Sequence, residues 1–202
     1  MLKKYYLIVG ILSTITLLAI AAAQYPGGSQ ADSTALGYDW RNNYISNLFG
    51  EQAVNGASNP GRYWAVAGMF LLSVSLAWFF VSFAKKIPQK RASQVIKYVG
   101  LSGMVFAFLI ATPLHDVMIP IASTLFLIGI FYCTVFVFKT KLRALQLLCA
   151  ITLLSFYLSL YCYGSGDLRE YLPVLQKITF LLVLLLVLAL EYFTKKEDFE
   201  VR

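Results

Sequence analysis

One imidazole is available to this chain. His115 is the sole histidine, and it sits beside Asp116 in Thr112-Pro113-Leu114-His115-Asp116, upstream of Pro120. Any histidine general base must therefore be His115. With Asp116 orienting the ring and Ser46 as nucleophile, a hydrolytic triad can be drawn. No Gly-x-Ser-x-Gly element surrounds Ser46, so local spacing lends that triad no support. The plainer account leaves His115 solvated in a tight loop and uses Asp116 to cap the helix that follows.

A second set of groups is suited to holding a ligand. Asp39, Arg41, Asn42, Asn43, Ser46 and Asn47 fall in one stretch, Asn59 and Arg62 follow, and Asp167, Arg169 and Glu170 form a late group. Guanidinium forks grip phosphate and carboxylate bidentately, so Arg41, Arg62 and Arg169 could hold a lipid headgroup. Arg169 has Asp167 and Glu170 beside it and reads as ion-paired. Arg62 has no acid within several residues and is the stronger ligand candidate. Zinc sites gather several His or Cys ligands. One histidine among Asp39, Asp116, Asp167 and Glu170 does not, although oxygen-rich Ca²⁺ or Mg²⁺ coordination stays open. Neither a metal nor a cofactor is expected. Cys133, Cys149 and Cys162 are odd in number, lack C-x-x-C spacing and fall in or at the ends of apolar runs, so they read as packing residues.

The solvent decides what positions these groups. Of 202 residues, 59% are hydrophobic and 13% charged, against about 25% charged in a soluble domain. This is the composition of a membrane protein. The formal net charge of +7 is accounted for by anchoring against anionic lipid, not by nucleic acid. Six apolar runs approach or reach the length needed to cross a bilayer, about 20 residues: Tyr5–Ala23, Tyr63–Ala84, Val95–Ala111, Val117–Phe138, Leu142–Tyr161 and Pro173–Tyr192. Alternating polarity, which a membrane strand requires, is missing from Leu181–Leu190 and Met69–Val81. The first run, with Lys3-Lys4 before it and Ala21-Ala22-Ala23 at its end, also has the outline of a secretory signal, but its apolar part is longer than such signals carry. It is read as a retained helix.

Charge sets the orientation. Lys3, Lys4, Lys85, Lys86, Lys90, Arg91, Lys97, Lys139, Lys141, Arg143, Lys195, Lys196 and Arg202 make up thirteen of the 17 basic residues and fall at every second connection. The positive-inside bias places those connections and both termini in the cytoplasm. The segment Gln24–Pro60, about 37 residues long, then faces outward with Thr112–Asp116 and Tyr163–Leu172. Loops of such length are usually functional or disordered. This one opens on turn chemistry at Tyr25-Pro26-Gly27-Gly28-Ser29, and its middle carries Trp40, Tyr44 and Leu48 at i, i+4, i+8. That spacing predicts a short amphipathic helix over Arg41–Phe49, with Asp39 as its N-cap. The spans hold almost no ionisable residue at mid-depth, which counts against an ion path or proton-coupled transport. Lys177, just inside the last span, is expected to snorkel outward. Ser155 and Ser159 are expected to bond to backbone or a neighbouring helix, and Gly100, Gly103, Ala107 and Ala111 form a close-packing strip.

At Tyr25-Pro26-Gly27-Gly28-Ser29, Asp39-Trp40, Asn42-Asn43-Tyr44-Ile45-Ser46-Asn47-Leu48, Asn55-Gly56, Asn59-Pro60, Arg62 and Leu114-His115-Asp116, the chain resembles the domain-of-unknown-function family 998 of bacterial membrane proteins. That family is loosely grouped with DRAM-like six-helix proteins. The resemblance implies a six-helix bundle in a bacterial cytoplasmic membrane and carries over no catalytic residue.

The expectation is thus an all-α, polytopic protein of one transmembrane domain, residues 1–202, capped by a structured first outer loop. Its partners are membrane lipids and no nucleic acid. A lipid headgroup, small ligand or partner would bind in an outer polar cup built from Asp39, Arg41, Asn43, Asn47, Asn59, Arg62 and His115. The alternative is an interfacial hydrolase or transferase acting on a lipid-linked substrate through His115, Asp116 and Ser46.

Overall fold

The computed structural model describes residues 5–200; Lys3, Lys4 and Arg202, three of the expected anchoring charges, lie outside them. Backbone polar groups have no water to bond in hydrocarbon, so each apolar run must satisfy them internally, as a helix does. The runs become α1 (Tyr6–Ala23), α2 (Arg62–Ala84), α3 (Lys90–Leu109), α4 (His115–Val137), α5 (Arg143–Ser165) and α6 (Leu172–Tyr192), all long and apolar enough to cross a membrane. Two ends differ from expectation. The third helix begins at Lys90, not Val95, because its polar first turn continues the spiral after extended Gln89. The fifth runs on to Ser165, where Gly166 at φ 79° adopts the left-handed conformation that ends a helix cheaply. Apolarity marks the membrane-buried part of a helix, not all of it.

Sequential neighbours α1–α2, α2–α3 and α3–α4 pack along much of their length, α5 pairs with α6, and α6 returns to meet α2 and α1. The contact between α4 and α5 is slighter. The centre belongs to α2, whose Phe79, Phe80 and Phe83 are fully buried. Phe80 wedges between two glycines. A Cβ on Gly100 of α3 would stand 2.1 Å from Phe80 Cγ, and one on Gly129 of α4 would stand 2.9 Å from Cε1. The expected small-residue strip therefore holds as a packing face, with Gly103 seated against Leu125 on α4. The three cysteines are free and buried. The hydroxyls of Ser155 and Ser159 on α5 lie 2.6 and 2.9 Å from Thr179 Oγ1 on α6, so these polar groups satisfy one another between helices.

The ends of the bundle are built differently. At the end that carries the basic connections, Lys86 Nζ donates to the carbonyls of Leu190, Glu191 and Thr194 at 3.0, 2.7 and 3.1 Å, and so caps the C-terminus of α6. It also lies 3.7 Å from the Glu191 carboxylate, which accepts a bond from Ser82 at 3.0 Å. Burial pushes the Lys86 ammonium below its ordinary range against the opposing pull of Glu191. At the other end sits the long first loop.

Candidate functional site

The first loop is a folded cap. Two antiparallel bridges, Gly27 with Leu36 and Gln52 with Ser58, close it into two lobes. Its apolar side, Tyr25, Leu48, Phe49 and Ala53, packs on Ala21 and Ala22 of α1, Ala65 of α2 and Ala111 after α3. Gly28 takes φ 79°, and a Cβ there would lie 2.4 Å from the Asn55 nitrogen, so the two lobes approach only because this residue is glycine.

Asn43 is the keystone. It is wholly buried, its Oδ1 accepts the Asp39 N–H at 2.8 Å, and its Nδ2 donates to the Gly28 carbonyl at 2.9 Å. Asn47 Oδ1 accepts the Tyr44 N–H at 2.7 Å. Asp39 Oδ1 accepts the N–H groups of Arg41 and Asn42 at 2.9 and 3.2 Å, while Oδ2 takes the Asn42 amide at 2.7 Å. Chiefly that amide, with the two backbone N–H groups, holds the Asp39 carboxyl below the usual range. Asn59 Nδ2 donates to the carbonyls of Leu48 and Gly50 at 3.1 and 3.0 Å.

These bonds correct the expected amphipathic helix. Asp39 does cap, but only a single turn, closed by Asn43 N–H on the Asp39 carbonyl at 2.8 Å. Tyr44 is then extended at ψ 151°, and a 3₁₀ helix covers only Ile45–Phe49. The Asn47 side chain takes the Tyr44 N–H and the Gln176 side chain takes the Ile45 N–H, donors that a continuous helix would need, and so interrupt it. Trp40 is consequently 63% exposed instead of joining a buried stripe.

The remaining candidates fall into separate groups. Arg62 is not acid-free in space: it pairs with Glu51 at 2.7 Å, eleven residues back. Arg41 is exposed and makes no ion pair among the described residues. Arg169 forms none with Asp167 or Glu170, contrary to expectation, and Asp167 accepts the Tyr161 hydroxyl at 3.1 Å instead. His115 Nδ1 lies 2.9 Å from Asp116 Oδ1. His115 and Asp116 are the first two residues of α4, so Asp116 lies in the first turn, where the helix dipole favours it, and does not cap. No hydrogen bond among the described residues joins His115 to Asp39, Asn43, Ser46 or Arg62, and the Ser46 hydroxyl makes none of its own.

Two residues of α6 fasten the cap. Gln176 Oε1 accepts the Ile45 N–H at 2.9 Å. Lys177 Nζ donates to the carbonyls of Asn43 and Pro173 and stands 5.7 Å from the centre of the Tyr38 ring. Tyr38 edges onto Tyr25 and Trp40, with ring centres 5.6 and 4.9 Å apart, and burial raises its hydroxyl above the ordinary range. Snorkelling of Lys177 was legible as a lone cation in an apolar span; the role of Gln176 was not. No family model, curated protein or solved structure matches the chain.

Proposed function

We propose that the chain is a non-catalytic, multi-pass module of a bacterial cytoplasmic membrane, with both termini cytoplasmic, that binds a lipid headgroup on the outer face of its cap. The observation that supports this most is which side chains the cap leaves free. Asn43, the Asn47 carbonyl oxygen, the Asn59 amide nitrogen and the Asp39 carboxylate are spent on the loop's own frame. Arg41 stays exposed and unpaired beside Trp40, with Leu36 95% exposed nearby in the same loop. A guanidinium for phosphate beside an indole suited to the membrane–water boundary is the combination a headgroup requires. The ligand-binding candidates thus divide into a frame (Asp39, Asn43, Asn47, Asn59) and contacting groups (Arg41 and, with lesser exposure, Arg62 and His115). The basic connections lie at the end opposite the cap, in keeping with an outward-facing loop.

Purified protein would be titrated with a panel of phospholipids differing only in headgroup. One headgroup should bind preferentially, and Arg41→Ala should weaken it about tenfold, as for the loss of a charged hydrogen bond. Equal binding by wild type and the Arg41→Ala/Trp40→Ala double variant would overturn the reading. The interfacial hydrolase keeps one supporting observation, the 2.9 Å contact of His115 with Asp116. Equal turnover of a lipid panel by wild type and His115→Ala would eliminate it.

A further inference from the structure

At the end opposite the cap, a groove of about 320 Å³ opens between the first turns of α5 and the close of α6. Leu142, Leu145, Leu148, Ala189 and Phe193 give it apolar walls, and the exposed residues Arg143 and Ala144 complete its lining. Phe193 is left 78% exposed.

The charges around this groove are net positive once internal pairs are removed. Lys139, Lys141 and Arg143 lead into α5, and Lys195 and Lys196 follow α6. The acids nearby are Glu191, Glu197, Asp198 and Glu200. Glu191 is engaged with Lys86 at 3.7 Å and Glu200 with Lys196 at 3.4 Å; Asp198, which accepts the Lys195 backbone N–H at 2.7 Å, and Glu197 form no ion pair among the described residues and are outnumbered by Lys139, Lys141, Arg143 and Lys195. Lys139 lies over the Phe136 ring at 5.0 Å. Lys141, Arg143 and Lys195 form no ion pair among the described residues.

We propose that this groove seats a phospholipid with a net negative headgroup, one acyl chain against the apolar walls and the phosphate on Arg143. Charge complementarity selects the occupant. A second copy of this chain would bring the same cationic rim against its own kind, and a zwitterionic lipid would leave the cluster's net charge uncompensated. A guanidinium can take the phosphate bidentately, while Lys141 and Lys195 act as point charges. The site is separate from the cap and does not depend on the function proposed for it.

The test is native mass spectrometry of the full chain, mixed with phosphatidylglycerol or phosphatidylcholine of identical acyl chains. Phosphatidylglycerol should be retained in preference. Arg143→Ala and Lys141→Ala should each weaken it about fivefold, the worth of one cation at an anionic surface. Ala144→Trp, which fills the groove and leaves every charge, should expel it as well, whereas Lys90→Ala, which removes an exposed cation at the same end but outside the groove's lining, should retain it. Thermal melts in detergent alone, unchanged from wild type, would show the variants folded. Equal retention of the two lipids would overturn the proposal. So would undiminished phosphatidylglycerol binding in Ala144→Trp, which would reduce the effect to surface charge.

Discussion

Asn43 shows how one buried amide can decide a loop. Its removal strands the Asp39 N–H and the Gly28 carbonyl, each costing about 1–3 kcal/mol if left unsatisfied. Asn43→Ala should therefore loosen the cap by about 2–3 kcal/mol, seen as faster proteolysis within residues 24–60 while the spans keep their helical signal. Asp39 adds a pH dependence. Donors from Asn42 and Arg41 favour its anion, so the folded cap binds fewer protons than the unfolded one. Its contribution is complete above the ordinary carboxylate pKa of about 4 and is lost as pH falls through the lower folded value. Fluorescence of Trp40, which meets Tyr38 edge-on, should hold steady from neutral pH and shift only below about pH 4. Asp39→Asn should abolish that shift. A persistent shift in that variant would assign it elsewhere.

Between elements, packing is governed by very small clearances. Gly100→Ala puts a methyl into the Phe80 ring and should cost about 1–3 kcal/mol. Shortening the wedge in Gly100→Ala/Phe80→Leu should recover part of that, a non-additivity that a double-mutant cycle in denaturant would measure. Lys86→Met strips the cap from α6 and leaves the partly buried Glu191 side chain, 12% exposed, without its cation. It should lower stability by about 3 kcal/mol, and Lys86→Met/Glu191→Leu should be less harmful than the single change. At this scale the six helices were legible in advance, since hydrocarbon tolerates no unpaired backbone and runs such as Leu181–Leu190 admit one solution. The small strip Gly100-x-x-Gly103 was legible for the same reason. The cap's interior was not. A helical stripe through Trp40, Tyr44 and Leu48 describes side-chain spacing, whereas the outcome was set by Asn47 and Gln176 taking the Tyr44 and Ile45 backbone donors. The Arg62–Glu51 pair was hidden because local spacing says nothing about a hairpin that brings residue 51 back to residue 62.

For the molecule as a whole, the cap and His115 lie at one end, and the connections bearing Lys85, Lys90, Lys139, Lys141 and Lys195 at the other. In cells, a membrane-impermeant thiol reagent should label Asn55→Cys from outside and Lys195→Cys only after permeabilisation. Cys133, Cys149 and Cys162 are buried, so the background should be low. Labelling in the reverse order would invert the orientation on which the proposed function rests.

The clasp between the cap and α6 spans 131 residues from Ile45 to Gln176 and 134 from Asn43 to Lys177. A ribosome delivers the earlier partner long before the later one. The clasp must wait through the insertion of four further helices with the Ile45 N–H and the Asn43 carbonyl not yet met by α6, because contacts so distant in the chain form late. Closure of the lid thus reports that the last helix has arrived, and a nascent chain halted before residue 176 would display an open, protease-sensitive cap above an already threaded bundle.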